Sequence, residues 1–284
     1  MRIVRTTEEI RAALDEPRRR GARIALVPTM GYFHAGHLSL MRRARADADV
    51  VVVSLFVNPT QFNDAADLDA YPRDEARDRD MAAGVGVDLL FAPAAAEMYP
   101  SGFATAVAVT GASEPLEGVS RGAAHFRGVA TVVAKLFNIV EPAVAYFGQK
   151  DAQQALVIRR MARDLNFHLD VEVCPTVREP DGLAMSSRNV RLAPAARAQA
   201  LALRRGLDAA ARAIAAGERD PRPVVACARD AMRALAVEPE YFAVVSAETL
   251  APVATIDGEV LVAVAARVGG VRLIDNEIVR APST

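Results

Sequence analysis

Lysine is nearly absent from this chain of 284 residues: of 34 basic side chains, only Lys135 and Lys150 are lysines. Against so strong an arginine bias, a retained lysine is a candidate for a place that needs a compact point charge and not a planar fork. An excess of either charge is also missing. The net charge of −1 removes the basic surplus that a nucleic-acid surface normally shows, so no nucleic-acid partner is expected. Cysteine occurs twice, as Cys174 and Cys227, 53 residues apart and in no C-x-x-C pair. That usage fits a reducing compartment, with a disulfide between the two as the other reading. No window holds 18 consecutive apolar residues, and the first residues, Met-Arg-Ile-Val-Arg-Thr-Thr-Glu-Glu, lack the apolar segment of a signal peptide. No membrane partner and a cytoplasmic location are therefore expected. Internal repeats, a low-complexity tail and a G-x-x-x-x-G-K-[ST] phosphate loop are likewise missing.

What is present begins at Arg23–Arg45. An apolar run, Ile24 to Val27, is broken by Pro28; a loop with His34-Ala-Gly36-His37 follows; then Leu38, Met41 and Arg45 recur at helical steps. A strand, a Gly-containing turn and a helix N-terminus make a platform for phosphate, because free backbone N–H groups and the helix dipole converge there. Two of the four histidines lie in this loop. A surface or capping pair is the plain reading of His-x-x-His. A zinc site is the weaker one, since two imidazoles without Cys or carboxylate close by give half a tetrahedral set.

The remaining pattern alternates. Helices are expected from Thr7 to near Pro17, over Asp74–Ala83, Gly128–Val140 and Ala152–Leu165. Strands are expected at Val50–Val57, Asp88–Ala92, Ala143–Phe147 and His168–Val173, with room for a short one at Thr105–Thr110. This reads as a Rossmann-like parallel α/β sheet, whose strand ends line one ligand crevice. The polar, turn-rich Val177–Asn189 marks a boundary, giving domains over 1–182 and 183–284. The second is read as a smaller α+β domain: helices at Pro194–Ala216 and Pro223–Ala236, then a short antiparallel sheet from Tyr241–Ser246, Val260–Ala266 and Val271–Ile274. Three loops, Pro28–His37, Gly148–Gln154 and Met185–Arg188, together offer His34, His37, Lys150, Ser186, Ser187 and Arg188, a set suited to a polyphosphate.

His-Ala-Gly-His after a first strand, with Met-Ser-Ser-Arg far downstream, resembles the paired signatures of the HIGH-motif nucleotidyltransferases, which include class I aminoacyl-tRNA synthetases. Pro28-Thr-Met-Gly31, Phe56-Val-Asn-Pro59 with Gln61-Phe62, Tyr71-Pro-Arg73, His125-Phe126 and Phe147-Gly148-x-Lys150-Asp151 with Gln153-Gln154 narrow the match. So do Asp181-Gly-Leu-Ala-Met-Ser-Ser-Arg-Asn189 and Arg272-Leu-Ile-Asp-Asn276. Together these resemble the pantothenate synthetase (pantoate–β-alanine ligase) family over nearly the whole chain.

The resemblance implies an enzyme that condenses pantoate with β-alanine using ATP, through pantoyl adenylate, with release of AMP and pyrophosphate. It implies that His37, His34, Lys150 and Arg188 are catalytic. Met30, Gly31, Gly36, Gly148, Gln149, Asp151, Val177, Met185, Ser186 and Ser187 would join them around ATP, Val177 through its backbone. Gln61 and Gln154 would bind pantoate, with Gln61 also against β-alanine. Mg²⁺ would ride on the phosphates, with Asp78 the acid expected to help hold it. A homodimer formed through the N-terminal domain, and a second domain that closes over ATP, are implied as well. The family usually has Glu where this chain has Gln149, which puts in doubt any role that needs a carboxylate beside Lys150. His125 and His168 are read as structural. Lys135 either extends to solvent or reaches the site.

Two other functions compete. One is a different HIGH-motif nucleotidyltransferase acting on a small carboxylate or nucleotide; a tRNA substrate fits neither the net charge nor the lack of an anticodon-binding region. The other is a non-catalytic nucleotide sensor, which would have no use for Gln61, Gln154 and Met185–Arg188 together.

Overall fold

A computed structural model describes residues 1–282. The chain divides into two compact units: Met1–Gly148 with Gln154–Pro175, and Gln149–Gln153 with the residues from Thr176 onward.

Elements are numbered in chain order. The first unit contains β1 (Arg2–Val4), α1 (Thr7–Arg19), β2 (Ile24–Thr29), α2 (Ala35–Asp47), β3 (Val50–Leu55), α3 (Ala65–Asp69), α4 (Glu75–Ala83), β4 (Leu89–Phe91), α5 (Ala95–Met98), α6 (Glu117–Val140), β5 (Val144–Gly148), most of α7 (Ala152–Asp164) and β6 (Asp170–Cys174). Its six strands form one parallel sheet in the order β1-β4-β3-β2-β5-β6. The sheet explains why its strands read as continuous apolar runs. In β2 and β3, Ile24, Leu26, Val50 and Val52 face a core made with α1, α6 and α7, while Ala25, Val27, Val51 and Val53 face one made with α2 and α4. Burying each such aliphatic side chain contributes about 1.5–3 kcal/mol, and a strand covered on both faces has no polar side to show.

The expected α/β architecture with a smaller second sheet is what the chain adopts. Local details differ from the sequence reading, for physical reasons. Strand β2 continues through Pro28 to Thr29, because its pairing with β5 ends at Leu26 and only β3 accompanies it further. Helix α1 starts at Thr7 behind a Thr6/Glu9 capping box and runs past the expected stop, carrying Pro17 inside its last turns with the ring buried. The stretch 105–110 is no strand: the Val107 N–H donates to the Thr131 hydroxyl of α6 at 2.9 Å instead of to a neighbouring strand. Helix α6 is long and apolar enough to span a bilayer by composition alone, but most of it is buried, and its apolar residues fill the first core. It is interrupted at Gly122 (φ 73°).

The second unit holds α8 (Pro194–Gln199), α9 (Ala202–Ala215), α10 (Pro221–Arg233) and the antiparallel sheet β7 (Pro239–Ser246), β8 (Glu259–Val268), β9 (Val271–Arg280). The single helix expected over Pro194–Ala216 is two. Ala200 and Leu201 keep right-handed helical angles, but Leu201 and Leu203 donate to carbonyls only three residues back, which tightens the backbone into a break. Leu203, Leu207, Ile214, Val224, Met232, Val262 and Val264 form this unit's own core.

Candidate active site

In the first unit, strand order reverses between β2, which leads outward to β3 and β4, and β5, which leads to β6 on the other side. Ligands of open α/β sheets bind outside the carboxyl ends of strands at such a point. The β2–α2 turn and Gly148, the last residue of β5, lie there.

The turn is built from its backbone outward. Thr29 is tied to β3, its hydroxyl donating to the Ser54 carbonyl at 2.6 Å and accepting from the Gly31 N–H at 3.3 Å. Gly31 (φ 86°) then takes an angle that suits glycine, and a Cβ there would lie 2.5 Å from Leu55 Cδ1. Tyr32 follows at φ 52°, and the Phe33 ring is fully buried in the α2/α4 core. What holds so unusual a path is Asp78 of α4, only 1% exposed: Oδ2 accepts from the Tyr32 N–H and Oδ1 from the Phe33 N–H, both at 2.6 Å. Arg77 closes the other side, donating to the Phe33 carbonyl at 2.9 Å with its guanidinium 5.1 Å from the Tyr32 ring centroid. Burial pushes the Asp78 carboxyl above its ordinary range, while the Phe33 and Tyr32 N–H groups pull it back. Each oxygen thus accepts one backbone N–H, which makes Asp78 a clamp on the turn.

His34 and His37 form a reciprocal cap on α2. His34 Nδ1 accepts from the Gly36 N–H at 3.1 Å, and His37 Nδ1 accepts from the His34 N–H at 3.3 Å. The ring centroids are 4.1 Å apart. Because each Nδ1 receives a proton donor, each neutral ring carries its own proton on Nε2. The capping and phosphate readings of His-x-x-His are therefore compatible: one nitrogen of each ring caps and the other is a fixed donor.

Gln61 approaches this turn, with Nε2 3.3 Å from Met30 Sδ and Oε1 accepting from Asn58 Nδ2 at 2.9 Å. Asn58, 1% exposed, is the hub: Nδ2 also donates to the Gly128 carbonyl at 3.2 Å, and Oδ1 accepts from the Thr60 hydroxyl at 2.9 Å and the Tyr99 hydroxyl at 2.8 Å. His125 Nδ1 lies 2.7 Å from the Gln61 carbonyl. A Cβ on Gly128 would sit 2.5 Å from the Thr60 carbonyl oxygen, so a glycine in α6 lets the Gln61 turn press against that helix. The Asn-Pro-x-Gln spacing is the sequence signal available for Asn58, and Tyr99 and Gly128 carry none. Gln154 is half-buried on α7. Lys135 lies with Nζ 4.7 Å from the Phe103 ring centroid, and His168 is exposed.

The other expected ligands belong to the second unit. Gln149, Lys150 and Asp151 form one 3-10 turn, with Lys150 Nζ 3.9 Å from Asp151 Oδ1. The Met185 N–H donates to the Val177 carbonyl at 3.0 Å, which brings two residues expected at ATP side by side. Ser186 caps the turn Ser187–Arg191, its Oγ accepting from the Arg188 N–H at 3.2 Å. Ser187 is buried and Arg188 half-buried. Cys174 and Cys227 are both free thiols.

A doubly wound parallel sheet, with a capped imidazole turn at its switch point, defines an α/β protein built to hold a phosphate-bearing ligand. The family model described as pantoate–β-alanine ligase matches residues 2–278. The chain is 54% identical over 283 residues to a pantothenate synthetase of Moorella thermoacetica, covering 98% of both chains. It is 55% identical over 279 residues to that of Thermotoga neapolitana, covering 98% of this chain and 99% of that one. Among solved structures it is similar to pantothenate synthetase from Thermus thermophilus, with TM-score 0.93, 49% identity, and coverage of 98% and 99%. It is also similar to a pantoate–β-alanine ligase from Francisella tularensis complexed with β-γ ATP and β-alanine, with TM-score 0.80, 31% identity, and coverage of 98% and 97%. The chain belongs to the pantoate–β-alanine ligase family, and so to the ligases of pantothenate biosynthesis.

Proposed function

We propose that the protein condenses pantoate with β-alanine at the expense of ATP, through a pantoyl-adenylate intermediate. The observation that carries this reading is the β2–α2 turn at the sheet's switch point, where the Nδ1 atoms of two imidazoles each accept a backbone N–H, an arrangement that leaves Nε2 as the donor of a neutral ring. Family membership and the Francisella relative's ATP and β-alanine ligands support it.

A carboxylate oxygen of pantoate attacks the α-phosphorus of ATP; a P–O bond forms, and the bond to the bridging oxygen breaks to release pyrophosphate. The neutral amine of β-alanine then attacks the acyl carbon, the acyl–O bond breaks to release AMP, and the amine proton passes to solvent. The protein's part is positioning and stabilisation of charge. His37 and His34 donate from Nε2 to phosphate oxygens, and Gly36 and Met30-Gly31 keep the backbone close to the nucleotide. Lys150, Ser186, Ser187 and Arg188 hold the β- and γ-phosphates and the leaving pyrophosphate. Gly148, Gln149, Asp151, Val177 and Met185 border the nucleotide. Gln61 and Gln154 bind the hydroxyl and carboxylate oxygens of pantoate, with Gln61 also meeting β-alanine.

Mg²⁺ fits only as an ion carried by the phosphates and water. Among the described residues no group of three or more His, Cys, Asp or Glu could hold one, and each Asp78 oxygen already accepts a backbone N–H. A homodimer, a cytoplasmic location and closure of the second unit over ATP complete the proposal.

The test is exchange of labelled pyrophosphate into ATP without β-alanine. Exchange that depends on pantoate is the expected result. Its absence from a folded, ATP-binding sample defeats the adenylate route. Titration calorimetry separates a sensor, which would bind ATP and ignore pantoate.

A further inference from the structure

We propose that Asn276 and its neighbour Asp275, on β9, are positioning residues that set both ligand-facing loops of the second unit for one polyphosphate. The inference rests on the ligase reading only in taking Lys150 and Met185–Arg188 as phosphate ligands.

Asn276 is 5% exposed, and its amide is fully used. Oδ1 accepts from Gln149 Nε2 at 2.9 Å, while Nδ2 donates to the carbonyls of Gln149 and Lys150, both at 2.9 Å. One side chain on the last strand thus fixes two successive carbonyls of the turn that carries Lys150. A lysine is a point charge on a long stem, and its reach is defined only as well as the backbone beneath it. Asp275, 3% exposed, takes Arg178 in a bidentate pair, with Nη1 at 2.6 Å and Nη2 at 3.0 Å. Arg178 also donates to the Gly182 carbonyl at 3.1 Å. Its backbone pairs with Ala184, and the adjoining Met185 N–H bonds Val177. The strand of backbone leading into Met185–Arg188 is therefore anchored through Asp275, one residue from the group that anchors Lys150.

This arrangement accounts for glutamine at position 149. An amide there donates to Asn276 Oδ1, so both Asn276 protons stay on the loop carbonyls. A carboxylate there would compete for those protons.

The test uses the full chain with Asn276→Asp, which keeps the volume, removes both donors and sets a carboxylate against two carbonyls. Two lost donors at a factor of about 2 to 12 each predict ATP affinity, by calorimetry, weaker by about four- to a hundred-and-fortyfold. KM for pantoate is expected to stay within about twofold of the wild-type value. A merely structural role would lower yield or melting temperature and leave the ATP affinity of the folded fraction unchanged. Asn276→Ser serves where the aspartate variant does not fold. Gln149→Leu, which removes only the donor to Oδ1, is expected to weaken ATP binding about two- to fivefold. Wild-type ATP affinity in whichever of these variants folds overturns the proposal. Turnover of ATP, pantoate and β-alanine by the unaltered protein is measured alongside. Its absence would defeat the ligase reading, whereas turnover with unshifted ATP affinity in the variants defeats only this inference.

Discussion

The two units secure their ligand-facing residues in opposite ways. In the first, chemistry and scaffold share the same side chains: His34 and His37 are both the expected phosphate donors and the cap of α2, and the turn that carries them is closed by Asp78. In the second, the two are separate. Lys150 and Arg188 stand on short 3-10 turns, and the side chains that tie down the backbone at Lys150 and ahead of Met185 belong to another element, Asn276 and Asp275 on β9. A site that scaffolds itself loses stability with activity. A site held from outside loses the one without the other.

Paired substitutions test this contrast. The largest effect is expected for His37→Ala and Lys150→Ala, each of which should slow pantoyl-adenylate formation about 10²–10³-fold. They should differ in melting: His37→Ala also removes a cap, at about 0.5–2 kcal/mol, whereas Lys150→Ala leaves the melting temperature near wild type. Equal losses of stability would erase the contrast. His37→Asn keeps an acceptor for the His34 N–H but no Nε2 proton; if it recovers full rate in the exchange assay, His37 is only a cap.

Next comes Asp78→Asn, which turns one acceptor into a donor facing a backbone N–H. A loss of about 1–3 kcal/mol in urea unfolding is expected, together with slower exchange. Gly128→Ala is smaller in its effect on rate. Its methyl meets the Thr60 carbonyl, so about 1–3 kcal/mol of stability and a raised KM for pantoate are expected, with KM for ATP unchanged. Phe103→Leu, which removes the ring beneath Lys135, should cost under about 1 kcal/mol and leave kinetics alone.

The histidine turn was legible in the sequence because its parts adjoin: strand, glycine, two imidazoles and helix lie within one short stretch. The parallel sheet was legible for a related reason, since strands buried on both faces read as Val50–Val53 does. The clamp that Asp78 makes is invisible in the sequence, because its partners are backbone N–H groups 46 and 45 residues away, and backbone leaves no mark in composition. Asn58 and Asn276 escaped assignment for the same reason, their amides going mainly to carbonyls and neighbouring side chains. Pro28 misled in the other direction. A proline ends a strand only where a ladder bond is required, and β5 had already left β2 by Leu26.

The scarcity of lysine has a practical side. The chain carries two ε-amines, and they sit in unlike surroundings: Lys135 over the Phe103 ring, and Lys150 on a turn whose carbonyls are pinned, its side chain 20% exposed. An amine-selective reporter therefore has few places to attach, and one is the expected phosphate contact. Protection of that single amine by ATP would turn labelling into a direct gauge of ligand occupancy, read by mass spectrometry without any turnover.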